Sequence, residues 1–162
     1  MSWKKKIYLD TSVISYLLHE DTPDKRNDTL KLWEIIKQGV YDVYISELTL
    51  EELSACPEPK KATLFELLKQ IEYNLIRSDV EVQELALDII KQGILTNKSV
   101  DDCTHIAAAV LNSCNIIVSW NFKHLVNART IDGIRIITIM KNLKSVDIYS
   151  PTMLIEGVEE NG

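Results

Sequence analysis

An apolar strand pattern, Ile7-Tyr8-Leu9, stops at the carboxylate of Asp10, and a helical pattern of Val13, Ile14, Tyr16, Leu17 and Leu18 begins within three residues. Such a junction belongs to open α/β sheets, which place their chemistry at the carboxyl ends of the strands. An ionised aspartate at that address can ligate a hard cation. If other acidic residues close other strands in the same way, the chain carries a metal site.

The rest of the chain repeats the alternation. Val43-Tyr44-Ile45, Asn74-Leu75-Ile76 and Asn115 to Ser119 read as strands, and so does Ile134 to Ile139 after Gly133. Between them lie helical stretches. One carries Leu30, Leu32, Trp33, Ile35 and Ile36 and ends at Gly39; others run from Leu48 to Ala55, Lys60 to Tyr73, Val80 to Lys91 and Ser99 to Asn112. Phe122 to Leu125 reads as a helical turn, and the segment from Ser150 as a loosely ordered tail. Strands separated by helices predict an α/β three-layer sandwich, a mostly parallel central sheet flanked by helices. We divide the chain into one domain over 1–149 and a C-terminal tail over 150–162.

At 162 residues the chain is long enough to bury a core. Eighteen basic against 24 acidic residues leave a net charge of -6, which excludes a general polyanion binder but not a local basic patch. No apolar run approaches the roughly 20 residues of a membrane-spanning helix. The basic start, Met1-Ser2-Trp3-Lys4-Lys5-Lys6, is followed by an apolar stretch that Asp10 interrupts, without a small-residue cleavage site. We therefore expect a cytoplasmic protein that does not enter a membrane. Cys56, Cys103 and Cys114 form neither a disulfide framework nor a zinc pattern and read as buried thiols.

Four polar residues share the address of Asp10, in the first turns after a strand or at a helix start: Asp10 itself, Glu52, Asp102 and Asn121. Each also fits a helix cap. Thr49-x-x-Glu52 has the form of a capping box, Ser99-x-x-Asp102 approximates one, and Asp10 and Asn121 suit simple N-caps. Spacing alone does not decide between caps and a cluster.

The local strings taken together do more. Ile7-Tyr8-Leu9-Asp10-Thr11-Ser12-Val13-Ile14 resembles the opening of PIN-domain nucleases, and Ile45 to Leu53, with its Glu52-Leu53 pair, is similar to that family's second block. Asp102-Cys103-Thr104-His105 on an alanine-rich helix looks like the third, and Ile116 to Leu125, with Ser119 before Asn121, like the fourth. The resemblance spans roughly residues 6 to 140. It implies a PIN-like nuclease domain over 1–149 and metal-dependent cleavage of RNA. Asp10, Glu52, Asp102 and Asn121 would hold Mg²⁺ or Mn²⁺, and Thr11 or Ser12 would position a water or phosphate oxygen. Many members are VapC-like toxins, so the resemblance also suggests a small antitoxin partner and a homodimer. Oxygen donors suit these cations, which would offset the mutual repulsion of three carboxylates.

One departure stands out: many PIN domains carry Asp where this chain has Asn121. An amide brings no charge, so one firmly held cation is expected, with a second recruited by substrate phosphate. Asp101 is expected to face elsewhere on its helix. His105 is expected to hydrogen-bond Asp101 or Asp102, Lys123 and His124 to contact phosphate, and Trp120 to pack beside the strand end, although its ring would also suit base stacking. A haloacid-dehalogenase-like phosphatase would need a second Asp where Ser12 stands, and no glycine-rich nucleotide loop is present. The remaining alternative is a catalytically weak or inactive PIN-like module that binds RNA or a protein partner.

Overall fold

The computed structural model describes residues 3–95 and 99–161, with side chains as far as Gly157. Met1 and Ser2 of the basic start, and the side chains of the acidic C-terminal residues, lie outside the described residues.

Five strands form one sheet: β1 (Lys6–Leu9), β2 (Asp42–Ser46), β3 (Asn74–Ile76), β4 (Ile116–Val118) and β5 (Asp147–Tyr149). The order is β3-β2-β1-β4-β5 and every pairing is parallel, with Ile7 beside both Val43 and Ile116, and Leu9 beside Val118. Eight described helices surround it: α1 (Thr11–Ser15), α2 (Pro23–Lys37), α3 (Glu47–Ser54), α4 (Lys60–Leu68), α5 (Val80–Lys91), α6 (Val100–Leu111), α7 (Ala128–Met140) and α8 (Pro151–Asn161). A 3-10 turn, Tyr16–Leu18, extends α1.

Alternation along β1 divides the core. Tyr8 points into one cluster with Ile117, Ile148 and the inner faces of α5, α6 and α7. Ile7 and Leu9 point into the other with Val43, Ile45, Val118 and residues of α1 to α4 and α8. A two-residue period sends neighbours to opposite faces, and a parallel sheet needs both faces covered. The expected three-layer α/β sandwich is thus the fold observed.

The topology also decides where a site can form. From β1 the chain winds outward through β2 to β3, then crosses back to β4 on the other side of β1 and continues to β5. The loops that leave β1 and β4 therefore depart in opposite directions. They open a crevice at the carboxyl ends of these neighbouring strands, the switch point at which open α/β sheets bind ligands.

Three expectations are corrected. The run Ile134 to Ile139 is not a strand but lies inside α7. Its β-branched residues favour a strand locally, yet the buried positions Thr130, Ile134, Ile137 and Thr138 follow a helical period, while Ile136 and Ile139 are 58% and 77% exposed. The Asn127 side chain starts the helix by accepting the Thr130 backbone N–H at 2.9 Å. Gly133 sits under Ile94, whose Cγ1 lies 2.7 Å from where a Cβ would stand, so the close approach of the segment after α5 explains the glycine that reads as punctuation.

The segment from Ser150 is not loose. It forms α8, with Ser150 Oγ accepting the Met153 N–H and Leu154 and Ile155 buried in the core beside α2. The strand just before it, β5, is a further element that the sequence reading does not assign. Finally, α4 stops at Leu68, five residues before Tyr73. Tighter turns, with Gln70 N–H to Leu67 O and Ile71 N–H to Leu68 O, swing the chain into β3 while keeping Ile71 buried.

The helical reading of α7 makes a sharp prediction. Ile134 and Ile136 would share a face in a strand and do not share one in a helix. Ile134→Ala should cost about 2–4 kcal/mol in urea denaturation, and Ile136→Ala less than about 0.5 kcal/mol. Equal losses would contradict the helix.

Candidate functional site

Asp10 occupies the N-cap position of α1, one residue beyond β1, with its backbone N–H on the Val118 carbonyl at 3.3 Å. Its side chain is only 4% exposed. Ser12 Oγ donates to Oδ1 at 2.5 Å, and Ser119 Oγ donates to Oδ2. Each of these hydroxyls in turn accepts a backbone N–H from the β4 loop, Ser12 from Trp120 and Ser119 from Asn121, both at 2.9 Å. The two serines thus lace the β1 and β4 exits together around one carboxylate.

Burial pushes the Asp10 carboxyl above its ordinary range. The positive form of His105, the Ser119 and Ser12 hydroxyls and the Val13 backbone N–H oppose that rise without cancelling it.

Glu52 lies inside α3 and is no part of its cap. The cap is Ser46, whose N–H reaches Thr49 Oγ1 at 3.5 Å, so the capping-box reading of Thr49 and Glu52 is corrected. Glu52 Oε1 instead receives Thr11 Oγ1 at 2.8 Å and His105 Nε2 at 2.6 Å. Burial works to raise this carboxyl, but the hydrogen bond and charge of His105 and the Thr11 hydroxyl outweigh it and hold Glu52 below the usual range.

The His105 expectation is corrected in the same contact. It pairs with Glu52 across 53 residues, not with Asp101 or Asp102. On its other side Nδ1 meets the Tyr8 hydroxyl at 2.5 Å, which also meets Ser46 Oγ at 2.8 Å. Burial drives the Tyr8 hydroxyl far above its ordinary range, so it keeps its proton. Nε2–H donates to Glu52 whichever charge the ring carries. A buried chain Ser46–Tyr8–His105–Glu52–Thr11 therefore orients Glu52.

Asp102, in the first turn of α6, is half-buried. Its carboxyl is raised first by desolvation, then by the like charges of Asp10 and Glu52, against the opposing fields of His124 and His105. Asp101 is exposed, as expected from its place on the helix. Asn121 Oδ1 accepts the His124 backbone N–H at 3.0 Å, an N-cap arrangement, and this leaves its Nδ2 toward Asp102 Oδ1 at 3.4 Å. The amide thus turns its nitrogen, not its oxygen, toward the carboxylates. His124 sits close by, with Nδ1 3.5 Å from Ser99 Oγ, and Lys123 is exposed.

Sequence reading missed Tyr8 and Ser46 and gave Ser119 no role of its own. A tyrosine in the middle of a buried strand was the available signal, since a buried hydroxyl needs a partner. Among the described residues no three acidic, histidine or cysteine side chains close around a single point. The donor chemistry nonetheless suits a hard divalent cation: carboxylate oxygens, with Asp102 raised first by burial and further by the charges of Asp10 and Glu52. Asp10, Glu52 and Asp102 are the residues that would hold it.

The model of the PIN domain family matches residues 7–124, well over half of the chain and including all four residues. Two solved structures share the fold. VapBC2 from Rickettsia felis, bound to a DNA fragment from their promoter, superposes with a TM-score of 0.54 at 14% identity, over 90% of this chain and 98% of that one. A toxin–antitoxin complex from Klebsiella pneumoniae gives 0.52 at 17% identity, over 73% and 88% respectively. No curated protein matches the chain.

The raised Asp10 carboxyl has a consequence for stability. Because its folded value lies above its unfolded one, ionisation penalises the folded state; the penalty is absent below about pH 4 and grows as pH rises toward the folded value. Asp10→Asn should therefore raise the melting temperature at pH 7 relative to wild type, with the gain vanishing near pH 3.5. A variant less stable than wild type at pH 7 would mean that the serine hydroxyls fully compensate the buried charge.

Proposed function

The chain belongs to the PIN-domain family, and from that premise we propose that it is an endoribonuclease that depends on Mg²⁺ or Mn²⁺ and cleaves RNA phosphodiester bonds with an activated water. The observation that carries this reading is that Asp10, Glu52 and Asp102 each have partners from distant parts of the chain: Asp10 from Ser119, Glu52 from Thr11 and His105, and Asp102 from Asn121. Independent helix caps have no reason to bond residues so far apart in sequence.

In this reading the three carboxylates hold the cation, which when bound lowers the pKa of a water and stabilises charge developing on phosphate. The chain's own residues divide the remaining work. The Tyr8–His105 pair and Thr11 keep Glu52 ionised and in a single orientation. Ser12 and Ser119 hold both oxygens of Asp10 in place. Asn121 serves as a donor that orients Asp102, in preference to the ligand role expected from the sequence. Lys123 supplies positive charge, and His124, on the same turn, a ring N–H, for a substrate phosphate.

The two superposed structures are toxin–antitoxin proteins. We extend the proposal accordingly: the chain acts as the toxin of such a pair, restrained by a small antitoxin, with a homodimer as the assembly. We place its site of action in the cytoplasm; no described helix is long and apolar enough to cross a membrane.

A second reading, a module that binds RNA or a partner with little or no catalysis, draws on one observation. The Asn121 oxygen is committed to a backbone N–H and adds no charge to the cluster.

The deciding experiment is cleavage of a fluorescent single-stranded RNA with Mn²⁺, with EDTA and with Asp10→Asn, alongside the melting temperature with and without Mn²⁺. Cleavage should require the metal and fall at least ~100-fold in Asp10→Asn, within the range that loss of a group acting on the transition state produces. Mn²⁺ should raise the melting temperature by binding the folded state. Absence of both effects would favour the binding module.

A further inference from the structure

Beside the carboxylate crevice lies an aromatic cluster that the proposed chemistry does not use. Tyr16 and His19, from the turn after α1, stack with centroids 4.2 Å apart and planes at 22°. Tyr16 continues to Trp120 at 5.7 Å, and Trp120 meets Phe122 edge-on at 6.1 Å. The Lys25 ammonium, from the first turns of α2, sits over three of these rings, 5.3 Å from Phe122, 5.6 Å from Trp120 and 5.8 Å from Tyr16. Among the described ion pairs Lys25 has no carboxylate partner. The rings alone hold its charge.

The members of this cluster differ in access. Trp120 is buried, and its indole N–H donates to Thr29 Oγ1 at 2.8 Å, so it is the fixed floor, in line with the packing role expected for it. Phe122 is 46% exposed although it is a large apolar ring. Its ring is therefore open to a ligand beside the lysine.

The floor is joined directly to the proposed chemistry, since the Trp120 N–H is bound by Ser12 Oγ, which also binds Asp10. Asn121, between the two rings, reaches Asp102. A strand of RNA lying with a phosphate at the carboxylates would therefore bring a flanking nucleotide over this shelf.

We propose that Phe122, backed by Trp120 and the Tyr16–His19 stack, is a base-stacking subsite for single-stranded RNA, with Lys25 held by the rings to meet the adjoining phosphate. This rests on the ribonuclease reading for its substrate class. An aromatic face stacks any base, while a cation held over rings remains available to a phosphate because no carboxylate neutralises it. Duplex RNA cannot use the subsite, because its bases are already stacked on one another.

The test is equilibrium binding of a fluorescent single-stranded oligoribonucleotide in EDTA, where cleavage is silent, followed by KM and kcat with Mn²⁺. Phe122→Ala should weaken binding of the single strand about tenfold, and Phe122→Trp should restore it. Lys25→Met should weaken it severalfold and lessen its salt dependence. A duplex of equal length should be bound equally by wild type and Phe122→Ala. Tyr73→Ala, which removes an exposed ring at the opposite end of the sheet, should change nothing, and melting curves check that each variant is folded.

Unchanged binding and KM in Phe122→Ala, or an equal loss for duplex and single strand, would overturn the subsite. Wild-type protein that binds single strands through Phe122 but never cleaves them would uphold the subsite and sink the nuclease reading alone.

Discussion

The buried carboxylate of Asp10 is the constraint around which the rest is arranged. Removing an ionisable carboxyl from water is costly, and here it is done at a point where two strand exits meet. The charge is tolerated because Ser12 and Ser119 each give it a hydroxyl proton, while each hydroxyl accepts a backbone N–H from the β4 loop. The hydrogen bonds that accommodate the charge also hold the two loops to each other. Pre-organisation of this kind is expected where a protein keeps a charge for chemistry, since a hydrophobic side chain would have filled the space more cheaply.

Glu52 and Asp102 are handled differently, and the differences suggest a division of labour. Glu52 is gripped by Thr11 and by a histidine that is itself held from within the core by Tyr8, so it stays ionised. Asp102 has a weaker contact, the Asn121 amide at 3.4 Å, and it feels the fields of both other carboxylates. It is the member of the trio most free to respond to a cation. Three carboxylates with three kinds of support constitute a more specific arrangement than three caps, each of which would have sought only its own helix N-terminus.

The crevice also sits beside features that suit a polymeric substrate. Phe122 and Lys25 form an aromatic and cationic shelf, and His124 and Lys123 follow Phe122 along the turn that Asn121 caps. A chain with a net charge of -6 has little long-range attraction for RNA. In the proposed ribonuclease, local cations and stacking surfaces would then matter more than overall field, and the exposed phenylalanine would serve binding.

Much of this was legible in the chain itself. The alternation of strand and helix patterns determines an α/β sandwich, and strands ending in Asp10 and Ser119 mark the functional edge, because both depend on local periodicity and on residues adjacent in sequence. Tertiary structure alone decided the rest. Ile134 to Ile139 has strand propensity but lies in a helix, since the core that Ile134 and Ile137 join, with Ile117, Ile148 and other buried residues, rewards a helical period. Leu154 and Ile155 look like tail residues until α2 supplies the surface that buries them. At the site, Asp10, Glu52 and Asp102 could be listed from the sequence. Which partner each carboxylate has could not, because His105 reaches Glu52 across 53 residues and Ser119 reaches Asp10 across 109. Hydrogen bonds of that range are set by the strand order of the sheet, and strand order is a property of the whole packed chain.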